Sequence, residues 1–455
     1  MSEPYRTLFV GTLVQESFLS VGGTDDPNTT VDSPFCRDGR GQPTLRGTGL
    51  AGALIATLRR CLGAPVPESI SGSRDGRQPS VWRFFNGHPL DSPGAAYRQH
   101  VAIDARTGAA ATGMLFNVET LPPGTRWPFL LEVDTSRDPG AADQARNALR
   151  HWAAGRCLIG REVARGLGWM RLEGLREYRL TVAHLDDWPC AKRSDDYAAY
   201  IEEKFANLAE KVGAAKEPLP GWTEITGSVS AGEYKPDWGN GATDDVYGID
   251  SLSIGGHATE ELAAAWDERF LAPDGMQNLA AAFDPDFAIV TFEQRDGDGG
   301  LTRVPYIPGS SLRGPLRHAL ARLLRARGEP DRPPIVETLF GTVEKSAKLL
   351  IRDAFPDDQS PIQLAWLQHH AEDEFTGGAY GHAKFDRVAV MQGRFVWRMV
   401  LEDASEDEQA KVQAALKELF DLARAGQIGI GGGQWRGHGW LHWAIDESTE
   451  RQEAR

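Results

Sequence analysis

The 455-residue sequence is short of cysteine and of long apolar runs, and for all its acidity it has two long stretches without a single acid. Its four cysteines, Cys36, Cys61, Cys157 and Cys190, form no Cys-x-x-Cys and have no histidine at ligand spacing. That excludes a zinc site or a disulfide framework and leaves them as small core residues. No apolar run approaches the roughly 18 residues of a membrane span. The opening Met-Ser-Glu-Pro-Tyr-Arg lacks the basic-then-apolar order of a signal peptide, so no membrane partner and a cytoplasmic location are expected. Basic residues are the minority, 49 Lys and Arg against 64 Asp and Glu, for a net charge of −15. Such a balance argues against indiscriminate binding of polyanions.

The missing acids are local. Gly299 to Gly328 contains no Asp or Glu but six arginines, at 303, 313, 317, 322, 325 and 327. Gly39 to Pro67 is likewise acid-free and carries Arg40, Arg46, Arg59 and Arg60. One such window reads as a basic solvated face, whereas two at matching places in a repeat point to a shared anionic ligand.

The repeat itself is legible as constant offsets. Pro43-Thr-Leu-Arg-Gly-Thr-Gly-Leu matches Pro305-Tyr-Ile-Pro-Gly-Ser-Ser-Leu, with Leu50/Leu312, Leu54/Leu316 and Leu58/Leu320 all 262 apart. His100/His369, Asp104/Asp373, Phe116/Phe385 and Gly124/Gly393 are 269 apart, and Arg165/Arg436 and Gly168/Gly439 are 271 apart. Ser17 to Gly23 matches Asp250 to Gly256. The segment Asp195 to Val212, with Tyr197, Ile201, Phe205, Leu208 and Val212 at helical spacing, has no counterpart and predicts a connector helix. The expected organisation is therefore a first domain over 1–185, a helical connector over 186–245, a second domain over 246–446 and a charged tail over 447–455. Each domain reads strand, helix, two strands, helix, strand. That order predicts an α+β chain of two tandem ferredoxin-like βαββαβ domains, a fold whose open sheet face often takes RNA.

Three constellations carry chemistry. Gly309-Ser310-Ser311-Leu-Arg313, with Arg317 one turn on, puts backbone N–H groups, hydroxyls and cations at a helix start, where phosphate binds; Arg46, Gly47 and Thr48 are the first copy. Read alone, Ser310 and Ser311 are equally ordinary N-caps. The Gly-rich segments Ile159 to Gly168 and Ile430 to Gly439, with Arg165, Gly432, Gly433 and Arg436, serve either as tight turns into a buried strand or as close backbone approaches to a nucleic acid. No Gly-Lys-Ser/Thr follows them, which excludes a nucleotide-triphosphate loop. His100 and His369 are either satisfied structural histidines or groups set near a ligand.

The ordered series of a strand ending in Gly-Gly, Val31-Asp-Ser-Pro-Phe-Cys-Arg37-Asp, Ile307-Pro-Gly-Ser-Ser-Leu-Arg-Gly, His100-Val-Ala-Ile-Asp with Leu115-Phe-Asn-Val-Glu, and Arg165-Gly-Leu-Gly resembles the RAMP superfamily of CRISPR-associated proteins. Within it the series is most similar to the Cas seven family, the backbone subunits of type III interference complexes. The resemblance implies a tandem fusion of two backbone units that coat a guide RNA (crRNA) and hold it against complementary target RNA, beside other effector subunits. It also implies an endoribonuclease whose catalytic aspartate is Asp32, working with a divalent cation, Mg2+ or Mn2+, held at Asp32. A carboxylate near the scissile phosphate holds such a cation or helps deprotonate the attacking 2′-hydroxyl. The alternatives are a turn-forming Asp32 and a scaffold that binds RNA without cutting it. Anchoring Asp38 on Asp296, 258 apart, sets Val290 opposite Asp32. The second unit then reads as a silent RNA clamp, or as one whose carboxylate has moved to Asp284 or Asp286.

Overall fold

A computed structural model describes residues 4–23, 31–73, 75–91, 93–104, 110–187, 197–232, 251–255, 286–295, 301–378, 380, 383–403 and 406–446. The chain forms two compact units that divide between Trp222 and Thr223, inside the segment expected as a connector. Among the described residues no helix is long and apolar enough to cross a membrane.

In the first unit the elements follow as β1 (Arg6–Gln15), α1 (Gly47–Leu62), β2 (Trp82–Phe84), β3 (Ala96–Ile103), β4 (Ala110–Thr120), β5 (Arg126–Val133), α2 (Ala141–Ala153) and β6 (Trp169–Leu180). The sheet order is β2-β5-β1-β6, and each of these pairs is antiparallel. This is the ferredoxin-like order, and β3 and β4 stand apart from it as a hairpin. Leu50, Leu54 and Leu58 of α1 and Ala145, Leu149 and Trp152 of α2 recur at helical spacing and are buried against Phe9, Leu13, Trp127 and Phe129.

Because side chains alternate across a strand, Leu8 and Val10 point to the other face of the same sheet. That face is not open, as the sequence suggested. Leu8, Val10, Leu130, Tyr178 and Leu180 are buried under Ile201 and Phe205 of the connector region. The helix there, α3 (Tyr197–Lys204), is shorter than its apolar spacing predicts. Beyond a 3-10 turn the chain pairs as an edge strand, Ala209–Lys211, on β6. Backbone pairing with an available sheet edge overrides helical periodicity here.

The second unit begins with β7 (Trp222–Ala231), which takes the place of β1. It continues through β8 (Thr291–Arg295), β9 (Leu301–Pro305), α4 (Gly309–Ala326), β10 (Leu349–Ile351), β11 (Gln363–His369), β12 (Phe385–Glu402), α5 (Glu406–Arg424) and β13 (His442–Ile445). Its order, β10-β12-β7-β13, repeats the first sheet. Val229, Trp397 and Met399 bury Leu312, Leu316 and Leu320 of α4 and Leu416 and Leu419 of α5. Of the cysteines, Cys36 and Cys157 are buried and Cys61 is partly so, while Cys190 and the tail 447–455 lie outside the described residues.

Phe205→Ala should destabilise the first unit by about 3 kcal/mol through the cavity left over Leu8 and Tyr178. Denaturant unfolding of the full chain is the check: the first unit's transition should move and the second's should not.

Candidate RNA interface

After β1, residues 17–23 cross towards β4 and β5, tied by a bridge between Leu19 and Leu121. The matching segment of the second unit makes the matching bridge, Leu252 with Val390. The chain then returns alongside itself. Cys36 N–H donates to the Val21 carbonyl at 2.7 Å, and Val290 N–H donates to the Ile254 carbonyl at 2.7 Å. These bonds place Val290 opposite Cys36, which corrects the sequence register that set it opposite Asp32.

Asp286 is the residue opposite Asp32. Asn117 N–H donates to Asp32 Oδ2 at 2.8 Å, and Asp386 N–H donates to Asp286 Oδ2 at 2.8 Å. Just after each aspartate the chain pairs parallel with the strand that carries this N–H, Ser33 with Val118 and Phe287 with Arg387. Both aspartates are exposed. The register slips beyond them because the first unit turns back at the Arg37–Pro43 bridge, whereas the second extends the same pairing, Thr291 with Pro305, into a longer hairpin. Asp284 and Asp296 lie outside the described residues.

Beside Asp32, Arg161 donates from Nη1 to Ser33 Oγ at 2.9 Å. His100 is stacked on Phe116 at 4.9 Å, with its Nε2 3.3 Å from a Glu162 carboxylate oxygen. Burial, then Arg98 and Arg165, push the His100 pKa down to about 3, so the ring is neutral and its contact with Glu162 is not an ion pair. Glu162 stands at φ 58, the one non-glycine positive φ among the described residues. In the second unit His369 stacks on Phe385 at 5.0 Å and meets His438 edge-on at 5.4 Å. Burial first, then Arg387, lowers the His369 pKa. The guanidinium groups of Arg387 and Arg436 lie 5.4 and 4.7 Å from the Phe385 ring centre.

The helix starts are built alike, with an amide as acceptor in one and a carboxyl in the other. Gly47 N–H donates to Asn86 Oδ1 at 2.9 Å, and Gly309 N–H donates to Asp353 Oδ1 at 2.7 Å. Ser310 and Ser311 are not N-caps, because the residue before the helix is Pro308, which has no capping side chain. In the first unit Arg46, Thr48, Gly49 and Gly52 face a cavity of about 440 Å³ whose far wall includes Ile159 and Gly160. Gly47 is buried, while Arg46 and Thr48 are exposed. The other expected arginines differ in what they hold. Arg313 donates to the Phe340 carbonyl and Arg37 pairs with Glu119, whereas Arg317 is half-buried on α4.

The glycines of the Gly-rich segments have a structural reason. A Cβ on Gly160 (φ 89) would fall 2.3 Å from the Ser20 carbonyl oxygen, and one on Gly431 (φ 81) 2.3 Å from that of Ser253. Gly432 is exposed, and Gly433 holds the position Glu162 holds in the first unit. Sequence reasoning missed Arg161, Asn86 and Asp353. It also missed Asn117 and Asp386, although these two sit 269 apart like their neighbours.

The aspartates, histidines and glycine turns thus converge within each unit, and in the first unit the helix start faces Ile159 and Gly160 across the cavity. Among the described residues no group of three or more His, Cys, Asp or Glu is arranged to hold a metal. Since His100 is neutral when folded and takes a proton near pH 6.5 when unfolded, its burial stabilises fully above 6.5 and progressively less as pH falls towards 3. His100→Phe keeps the stack and should flatten that fall. The unfolding midpoint of wild type relative to the variant should drop between pH 6.5 and 4, and a pH-independent difference would refute the assignment.

Comparison with known proteins agrees with this duplicated architecture. The profile described as RAMP superfamily matches residues 17–171 and again 297–442. A curated protein of Streptococcus thermophilus, the CRISPR system Cms endoribonuclease Csm3, is 26% identical over 152 residues, covering 30% of this chain and 69% of the relative. The chain belongs to the RAMP superfamily and carries its domain twice in tandem.

Proposed function

We propose that the chain is a guide-RNA-binding backbone subunit of a type III CRISPR effector complex, with partner effector subunits, and that it cuts complementary target RNA at Asp32 and at Asp286. The observation that carries this reading is the pair of exposed carboxylates, each fixed through one oxygen by a strand N–H at 2.8 Å in the same place in each unit. A relative named an endoribonuclease supports RNA cleavage as the chemistry.

Each carboxylate keeps one oxygen free of the anchoring N–H. Held against an attacking 2′-hydroxyl, that oxygen accepts its proton as the hydroxyl attacks the adjacent phosphorus and the P–O5′ bond breaks, the leaving 5′-oxygen taking a proton from water. The products are a 2′,3′-cyclic phosphate and a 5′-hydroxyl, with no protein nucleophile. A positioned base of this kind contributes typically 10²–10⁴-fold. Arg161 beside Asp32, and Arg387 and Arg436 in the second unit, supply positive charge for the phosphate. A hard divalent cation, Mg2+ or Mn2+, binds through one or two carboxylates plus substrate phosphate and water, which fits a lone exposed Asp32 better than it fits a protein cage. Asp32, or Asp286, would hold it, and it would polarise the phosphate. Arg46, Thr48 and the helix N–H groups suit the guide backbone on the other wall.

A guide-loaded complex tests this with Asp32→Ala, Asp286→Ala and the double variant on a complementary target. Each single change should remove its own set of cleavage positions by at least about 100-fold, and the double change should remove all of them. If only Asp32 matters, the second unit is a clamp; undiminished cutting by the double variant would sink the catalytic reading and leave a scaffold.

A further inference from the structure

The Gly-rich turn is built twice on the same backbone. In the first unit it is the 3-10 turn Val163–Arg165, and in the second Gln434–Arg436. The same bonds fasten both copies. Arg161 N–H donates to the Ser20 carbonyl and Gly432 N–H to that of Ser253, at 3.0 and 2.8 Å. Trp169 Nε1–H donates to the Val163 carbonyl and Trp440 Nε1–H to that of Gln434, both at 3.2 Å.

At the middle of this shared turn the two units part. The first has Ala164 and the second Trp435, 271 residues on. Trp435 is 94% exposed. Folding does not call for it, because alanine serves in the twin turn and the indole buries almost nothing. An exposed indole forgoes the burial that ordinarily stabilises this side chain and invites association, so its place on a tight turn fits a ligand.

The surroundings say which ligand. Residues 430–440 contain no acid. Next to Trp435, Arg436 is exposed and lies over Phe385, on which His369 also stacks, and Arg387 lies over the same ring. Asp386, on the same strand, is buried. In the first unit the equivalent turn carries Glu162 and no aromatic at its tip. An aromatic face flanked by arginine on an acid-free turn matches a nucleobase with its phosphate, since every base offers a π-face and every nucleotide an anion.

We infer that Trp435 is a stacking platform for an unpaired base of RNA held along the second unit, with Arg436 contacting the neighbouring phosphate. The inference rests on the RNA-binding reading and goes beyond it. It makes the second unit grip bases irrespective of sequence, where the first grips backbone alone.

The test uses the full chain and a fluorescently labelled single-stranded RNA of mixed sequence, with binding followed by anisotropy across a salt series. Trp435→Ala should weaken binding by about 5- to 100-fold without changing the salt dependence, because stacking displaces no counterions. Trp435→Phe should restore most of that loss. Arg436→Ala should instead lower the slope of log affinity against log salt by about one. Thermal unfolding of Trp435→Ala should match wild type, as Ala164 already occupies the twin position. Wild-type affinity in Trp435→Ala, with or without a change in self-association by sedimentation, overturns the stacking role and hands the indole to a protein contact. Absence of RNA binding by the wild-type chain at low salt overturns the RNA reading itself, and the platform with it.

Discussion

A short parallel pairing governs this molecule, one or two residues of a returning loop laid beside the strand that leads back into the sheet. Ser33 against Val118 is a single bridge and Phe287 against Arg387 the first of two pairs, yet they decide where the preceding aspartate sits. With its main chain held there, each carboxylate accepts a backbone N–H at 2.8 Å and keeps its other oxygen outward. A carboxylate on an untethered loop would have to lose its freedom at each encounter with substrate; here that entropy is lost once, on folding. The glycine approaches at Gly160 and Gly431 serve the same end, letting a second loop close over the first with backbone against backbone.

On this common frame the two units differ chiefly in charge. The α1 start meets the neutral Asn86, while the α4 start meets Asp353, a fully buried carboxylate. A helix N-terminus favours an anion by about 0.3–1 kcal/mol, more when partly buried, and in the second unit the Asp353 carboxyl already accepts the first N–H. The copy with the more family-like Gly-Ser-Ser-Leu-Arg-Gly thus carries an acidic residue at its helix start. The plainer Arg46-Gly-Thr-Gly copy has an amide there and opens on a cavity of about 440 Å³. At the Gly-rich turn the order reverses: the first unit has Glu162 in a left-handed conformation, the second glycine, arginine and tryptophan.

Much of the fold was legible in the sequence, because Leu50/Leu312, His100/His369 and Arg165/Arg436 keep constant offsets and mark elements whose cores must match. The register of the second carboxylate's loop was not, although Asp286 stood among the alternatives. It depends on a loop whose length changes between copies, and counting from Asp38 carries that change into the answer. Only the hydrogen bonds of Cys36 and Val290 restore the register. The partners of Gly47 and Gly309 were equally hidden, since Asn86 and Asp353 arrive from distant strands and no local pattern marks them as caps. The open sheet face failed for a third reason: Ile201 and Phe205 looked like a connector's apolar stripe, and what such a stripe covers is a tertiary fact.

The acid-free windows need the same correction, and it sharpens their meaning. Counting arginines treats each as a surface cation, but Arg313 donates into the backbone at Phe340 and Arg303 is matched by Glu293, while Arg327 is paired with Glu418. What the absence of acids secures is that no carboxylate from the window itself competes for those arginines left facing solvent. Arg46 is exposed at its cavity, and Arg436 over Phe385. A chain of net charge −15 repels RNA at long range, an effect screened beyond about 8 Å at physiological salt, so close contact is decided by these few residues. On the proposed function, a few local cationic sites within a repelling whole favour an RNA already presented in register over RNA at large.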